Sequence, residues 1–103
     1  MLSETTLVDN KITIPSISAE ARHLLIEAAR SSDGIVGRIA YIGGVIVQAN
    51  GNNFVEPNNP RSQALWEGAI NDLVDIGFLN PIGHKGEVFR ITREGYEAAD
   101  AIA

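Results

Sequence analysis

Cysteine is absent from the 103-residue sequence, and histidine occurs only twice. Without cysteine there is no disulfide framework, no thiolate nucleophile and no cysteine-based zinc site. His23 and His84 lie far apart in the sequence and have no partners at ligand spacing. Because no pattern nominates a nucleophile, a general base or a metal ligand, we expect no metal, no cofactor and no catalytic residue. The sequence therefore predicts that the protein is not an enzyme.

Basic residues are also scarce, with eight Lys and Arg against thirteen Asp and Glu. The formal net charge is −5 and the isoelectric point is near 4.8. Domains that grip a phosphate backbone usually have an isoelectric point above about 9. This balance disfavours nucleic acid as a partner, although a local basic patch would still be compatible with it.

Long apolar runs are missing as well. No stretch approaches the roughly 20 apolar residues that span a bilayer, and the first ten residues, MLSETTLVDN, lack the basic and apolar regions of a signal peptide. We therefore expect a cytoplasmic protein with no membrane contact, and we infer no small-molecule substrate.

The sequence does contain enough apolar residues, 45%, for one small folded domain. We place that domain at residues 18–103 and interpret residues 1–17 as a partly ordered arm. Pro15 favours an extended backbone over Lys11 to Ile14, while a short hairpin around Asp9-Asn10 is an open alternative.

Helical spacing of apolar residues predicts a first helix over about residues 19–31, with Ser18 as N-cap and Gly34 in the turn that follows. Asn59 and Pro60 then predict the start of a second helix that ends at Gly77. The expected apolar stripe of this second helix comprises Leu65, Trp66, Ala69, Ile70, Leu73 and Ile76. Between the two helices, Phe54 is interpreted as a loop residue that plugs the core.

Residues 35–49 are rich in Val and Ile and contain Gly43-Gly44, a signal for a two-residue hairpin turn. With Ile42 opposite Val45, one face holds Arg38, Ala40, Ile42, Val45, Val47 and Ala49, and the other holds Ile39, Tyr41, Ile46 and Gln48. Neither face is polar, whereas a half-solvated strand pair should alternate. Either both faces are covered within the domain, or another chain covers one. The candidate self-association residues are Ile39, Tyr41, Ile42, Val45, Ile46 and Val47.

After Gly77, Phe78-Leu79 begins a further strand in which Pro81 indicates an edge position or a bulge. Gly83 to Gly86 forms the tip of this second hairpin. Thr92 caps a last helix with a thin apolar stripe of Tyr96, Ala99 and Ile102.

The stretch from the second helix to the last resembles a pattern of bacterial and archaeal winged-helix domains, mainly over residues 59–100. The matching positions are Leu73, Gly77, Phe78 and Leu79 at the helix exit, then Val88-Phe89-Arg90-Ile91-Thr92, then Gly95. The resemblance implies that residues 60–77 occupy the place of a recognition helix and that residues 83–86 are the wing tip. A typical member has another helix where this chain has its first hairpin.

The fold expected is therefore α+β and winged-helix-like: helix, hairpin, helix, wing hairpin and helix, with a small antiparallel sheet. For function, the sequence favours a non-catalytic module that acts through protein–protein contacts and self-associates as a homodimer or larger oligomer. The alternative is a winged-helix DNA-binding transcriptional regulator. Its candidate contacts are Arg61, Gln63, Asn71, His84, Lys85, Arg90 and Arg93, opposed by the nearby carboxylates of Glu67, Asp72 and Asp75.

Overall fold

Three helices pack on one face of a five-stranded antiparallel sheet in the computed structural model of the chain. The structure describes residues 6–8, 12–14, 16–83 and 85–103, with side chains for residues 16–83 and 85–103. The helices are α1 (Ala19–Arg30), α2 (Pro60–Asp75) and α3 (Arg93–Ile102), and the strands are β1 (Thr6–Val8), β2 (Ile12–Ile14), β3 (Ile35–Tyr41), β4 (Gly44–Ala49), β5 (Asn52–Asn53), β6 (Leu79–Ile82) and β7 (Val88–Ile91). The expected α+β class, with three helices and a small antiparallel sheet, is confirmed.

The sheet has the strand order β5-β4-β3-β7-β6, so both predicted hairpins belong to it. They are joined where β3 pairs with β7, with Ile35 opposite Arg90 and Gly37 opposite Val88. β6 forms one edge of the sheet, which confirms the edge position that Pro81 indicates. The two-residue strand β5 forms the other edge, and the sequence did not predict it.

All three helices begin at the residues that the sequence nominates as N-caps. Ser18 Oγ accepts a hydrogen bond from the Ala21 amide at 3.0 Å. Asn59 Oδ1 accepts from Ser62 at 3.1 Å, and Thr92 Oγ1 accepts from Gly95 at 3.0 Å. Each side chain thereby satisfies one of the amide donors that a first helical turn leaves unpaired.

The turn of the β3–β4 hairpin lies one residue earlier than predicted. Ile42 and Gly43 form the turn, so Tyr41 pairs with Gly44, and Ala40, not Ile42, lies opposite Val45. The positive φ of 141° falls on Gly44, which now begins a strand. A two-residue shift in pairing leaves every strand residue on its predicted face because side chains alternate with a period of two. Only Ile42 changes its place, from a strand to the turn.

The exit of α2 is locked to the start of α3 by the residues that carry the winged-helix resemblance. Thr92 Oγ1 donates to the Gly77 carbonyl at 2.6 Å, and the Thr92 amide donates to the Phe78 carbonyl at 3.0 Å. A Cβ on Gly95 would collide with the Phe78 carbonyl oxygen. Gly77 itself has a φ of 87° and ends the helix in the left-handed region. This spacing of Gly, Thr and Gly therefore builds a helix-to-helix junction.

The core lies between the helices and the inner face of the sheet. Its buried side chains include Leu24, Leu25, Val36, Val47, Ile70, Leu73, Leu79 and Phe89. Two residues of the expected α2 stripe do not join it, because Leu65 is 48% exposed and Ile76 is 36% exposed. Successive helical residues are about 100° apart, so Leu65 and Trp66 cannot both point at one core.

The N-terminal strands β1 and β2 pair with each other in a separate two-stranded antiparallel sheet, with Val8 opposite Ile12. This pairing supports the hairpin interpretation over the single extended arm. The Asp9-Asn10 turn on which that interpretation rests lies outside the described residues.

Candidate interaction surface

The outer face of the sheet, turned away from the helices, is the candidate functional surface. Residues that lie opposite each other in the register share a face, so the pairings fix its members. We call this set the outer face; it comprises Ile35, Gly37, Ile39, Tyr41, Gly44, Ile46, Gln48, Asn53, Asn80, Ile82, Val88 and Arg90.

No described element of the chain covers the apolar part of the outer face. The side chains of Ile39, Tyr41 and Val88 are 43%, 50% and 39% exposed, and Ile35, Ile46 and Ile82 are half-buried. The remaining members are glycines, amides and one cation, Arg90. No carboxylate lies on the outer face, although Asp and Glu outnumber Lys and Arg in the whole sequence. The surface is therefore apolar at its centre and free of the acidic residues that dominate the rest of the chain.

The six predicted self-association residues divide into two groups in the structure. Ile39, Tyr41 and Ile46 lie on the outer face, and Ile42 projects from the hairpin turn with its side chain fully exposed. Val45 and Val47 lie on the inner face. Val45 is half-buried against the core and Val47 has no exposed surface, so Val47 has nothing to offer to a partner.

Two of the predicted DNA-contact residues, Asn71 and Lys85, line one groove of about 750 Å³ between α2 and the β6–β7 hairpin. Beside them, Arg38 Nε donates to Glu67 Oε2 at 2.7 Å, so an ion pair joins β3 to α2 across this groove. Asp75 also lines it. The groove thus presents both signs of charge, with no accumulation of cations.

The other DNA-contact candidates lie elsewhere. Arg90 is on the outer face, on the opposite side of the sheet from the groove. Arg61 is in the first turn of α2, ten residues or about 15 Å of helix from Asn71. Gln63 lies against Gly44 of the hairpin, and Arg93 pairs with Glu97 at 3.5 Å. His84 lies outside the described residues. The six candidates that the structure describes therefore do not converge on one surface.

A cluster of three rings joins α1, α2 and the loop after β5. The rings of Phe54 and Trp66 are stacked with centroids 4.9 Å apart, and His23 meets Phe54 edge-on at 5.1 Å. Phe54 and Trp66 are half-buried and pack on the core. The prediction that Phe54 plugs the core is confirmed, and His23 completes the packing from an exposed position. No spacing pattern along the chain predicts that His23 meets the other two rings.

Other kinds of site find little support in the part of the chain that the structure describes. It contains no group of three or more His, Cys, Asp or Glu residues arranged to hold a metal ion. None of its helices has both the length and the apolar character needed to traverse a bilayer.

Comparison with known proteins adds no relative. No protein-family model matches the chain, and no curated protein or solved structure shows significant similarity to it. The function must therefore be argued from the outer face itself.

Proposed function

We propose that this chain is a non-catalytic, winged-helix-like binding module that acts through protein–protein contacts and pairs with a second copy of itself through the outer face. The observation that carries the proposal is the apolar, uncovered centre of that face. Large apolar side chains on a sheet are ordinarily covered, and contiguous exposed apolar patches often mark binding surfaces.

The size of the outer face fits a weak, reversible dimer. β3 has seven residues and the sheet has five strands. The other four strands are shorter, with six, two, four and four residues, so about 3.3 Å per residue and about 4.8 Å between strands give a footprint of roughly 360 Å². Standard interfaces bury about 800 Å² of accessible surface on each partner. Protruding side chains make the accessible area larger than the footprint, but the face is smaller than a standard interface and fits the class of weak, transient contacts. We expect a dissociation constant in the micromolar range.

The charge of the outer face disfavours a basic partner and is compatible with a second copy. A basic partner would be attracted to carboxylates, and the outer face has none. Two copies with net charge −5 repel one another through their other surfaces, but two outer faces meet without carboxylate against carboxylate. Salt screens the long-range repulsion and leaves apolar contacts in place. Self-association should therefore strengthen as salt is raised, whereas binding of a basic partner would weaken.

The alternative of a DNA-binding regulator has less support. A groove that reads DNA needs cations near phosphates and base-reading side chains on one surface. Here Asn71 and Lys85 share their groove with Glu67 and Asp75, and Arg90 lies across the sheet. We expect no gel shift with mixed-sequence duplex at low salt, and a salt-sensitive shift that Lys85→Ala and Arg90→Ala abolish would revive this alternative.

Sedimentation equilibrium from low to high micromolar concentration tests the proposal. The wild-type chain should show concentration-dependent dimerisation, and Ile39→Asp should remain monomeric because a charge would be buried at the contact. Leu65→Asp is the matched control, since Leu65 is similarly exposed but lies on α2. Circular dichroism establishes that both variants are folded. A wild-type chain that is monomeric throughout, or equal loss of dimer in both variants, would overturn the proposal.

A further inference from the structure

Gly37 lies in the middle of β3, and nothing in the described part of the chain requires a glycine there. Its pairing with Gln48 lies inside a continuous β3–β4 register, and its pairing with Val88 is the last of the β3–β7 register. It is not among the residues with positive φ. A Cβ at this position would lie 3.6 Å from Gln48 Cγ, which is ordinary van der Waals contact. Gly37 thus differs from Gly95, where a neighbouring backbone leaves no room for a side chain.

A glycine inside a strand weakens it and commonly marks a bulge, a bend, or a place where another backbone or a ligand approaches closely. The β3–β4 register shows no bulge at Gly37, so a bend or close approach from outside remains, and the hollow beside Gly37 fits close approach. The approach must come from the outer face because the side chains opposite Gly37 on both neighbouring strands point there.

The position of Gly37 on the outer face is central. β3 is the third of the five strands, and its outer residues in order are Ile35, Gly37, Ile39 and Tyr41. The missing side chain opens a notch that continues into a hollow of about 300 Å³, whose rim includes Ser31, Asp33, Ile35, Gln48 and Asn50. A notch therefore lies directly beside a protruding, 43% exposed isoleucine, Ile39.

We propose that two copies pack β3 on β3, face to face and antiparallel, with a two-fold axis near Arg38. This inference rests on the proposed function, because it assumes that the outer face is the contact. In a two-fold interface, residue i contacts j while j contacts i. Such an axis brings Ile39 of each copy into the notch at Gly37 of the other, and Tyr41 of each over Ile35 of the other.

A second copy suits this notch because the outer side of β3 is complementary to itself when reversed. Facing layers pack best when large residues lie opposite small ones, and reversal places isoleucine against glycine twice. Arg90, the charged member of the face, lies opposite Ile35, three residues along the strand from the axis at Arg38. The two Arg90 side chains consequently do not have to meet at the centre.

The test exchanges the residue types at two positions, the large Ile39 and the small Gly37. Gly37→Ile fills the notch and Ile39→Gly removes the side chain that enters it, so each should weaken dimerisation by at least about tenfold in sedimentation equilibrium. The double variant, Gly37→Ile with Ile39→Gly, restores one large and one small residue and should recover most of the affinity. If the two faces met through nonspecific apolar contact, Gly37→Ile would add apolar area and strengthen the dimer.

Two variants that each add a single methyl group are less disruptive to folding and show which surface forms the contact. Gly37→Ala adds a single methyl group that fits within the chain and should still weaken dimerisation measurably. Gly68→Ala adds the same group to α2, where no atom lies within 4 Å, and should leave dimerisation unchanged. If Gly68→Ala alone weakens dimerisation, the contact lies on α2 and the inference is overturned.

The possible results separate this inference from the proposed function. If Ile39→Asp abolishes the dimer but Gly37→Ile does not weaken it, the outer face remains the contact and the β3 packing is wrong. If the exchange variant fails to recover affinity although Gly37→Ile is folded and monomeric, the packing is also wrong. If neither Ile39→Asp nor Gly37→Ile affects association, both proposals fail.

Discussion

The inner and outer faces of the sheet are built from the same kinds of residue and have opposite environments. Val36, Val47 and Phe89 on the inner face are buried under the helices, whereas Ile39, Tyr41 and Val88 on the outer face are substantially exposed. The difference arises from the placement of the helices, because β-branched and aromatic residues suit either side of a pleated strand. An apolar residue in a strand therefore indicates a surface suited to burial, but not whether the burying element belongs to the same chain.

The largest expected difference in the free energy of unfolding is between an aspartate substitution on the inner face and one on the outer face. Val47→Asp buries an unpaired carboxylate in the core and should lower the free energy of unfolding by more than about 4 kcal/mol. Ile39→Asp keeps its carboxylate in water and should change the free energy by less than about 1 kcal/mol. Urea denaturation followed by circular dichroism, at a concentration where the chain is monomeric, measures both. Similar losses in the two variants would contradict the distinction between the faces.

A smaller effect contrasts two glycines. Gly95→Ala forces a methyl group against the Phe78 carbonyl and should cost about 1–3 kcal/mol of stability. Gly37→Ala meets only the flexible Gln48 side chain and should stabilise the monomer by about 0.5–1 kcal/mol, because glycine weakens a strand interior. Thermal unfolding at low protein concentration would reveal the contrast as a lower Tm for Gly95→Ala alone. A clear loss for Gly37→Ala would give that glycine a role within the chain and weaken the inference built on it.

The ion pair on the inner side of the sheet should contribute less. Glu67→Gln removes the carboxylate that Arg38 contacts, but both side chains are about one-third exposed. Solvent screening limits such pairs to under about 1 kcal/mol. Glu97→Gln, at the more exposed Arg93 pair, is the control and should have a smaller effect. Urea denaturation at low and high salt measures both, and a loss for Glu67→Gln that is large and independent of salt would mean that the pair is effectively buried.

The smallest effect on stability is expected at the hairpin turn. Ile42 is fully exposed, so Ile42→Ser should change the free energy of unfolding of the monomer by no more than about 0.5 kcal/mol. Differential scanning calorimetry at low concentration is sufficient to test this. A substantial destabilisation would mean that Ile42 packs within its own chain and is not available to a partner.

The local signals in the sequence were reliable where one residue determines the backbone. Ser18, Asn59 and Thr92 cap their helices because a short oxygen-bearing side chain can reach the free amides of the first turn. Gly77 ends α2 because its φ of 87° is costly for other residues. These features need no knowledge of distant contacts.

The errors came from features that depend on tertiary packing. The Gly43-Gly44 pair fits a two-residue turn, but the chain uses Ile42 and Gly43, and the glycine at 44 adopts the unusual φ. Leu65 and Trp66 are equally apolar, and only the position of Phe54 shows that Trp66 is the one that packs.

The outer face was predictable only in part. Alternation along the first hairpin correctly groups Ile39, Tyr41 and Ile46. Ile82, Val88 and Arg90 join them only because β3 pairs with β7, and that pairing spans the whole of α2. The sequence pattern did not single out Gly37. Its role is inferred from the structure, where no described contact and no positive φ requires a glycine.

The pairing of β3 with β7 also governs the order in which the chain can fold. The two hairpins are local and can form quickly, but joining them requires closure of a long loop that contains α2, which slows folding. During synthesis, the sheet is completed only after Val88 to Arg90 have been made and can pair with Ile35 to Gly37. Until then the edge of β3 that pairs with β7 keeps unpaired backbone groups, so a nascent chain that ends before Val88 should be the species most prone to aggregate.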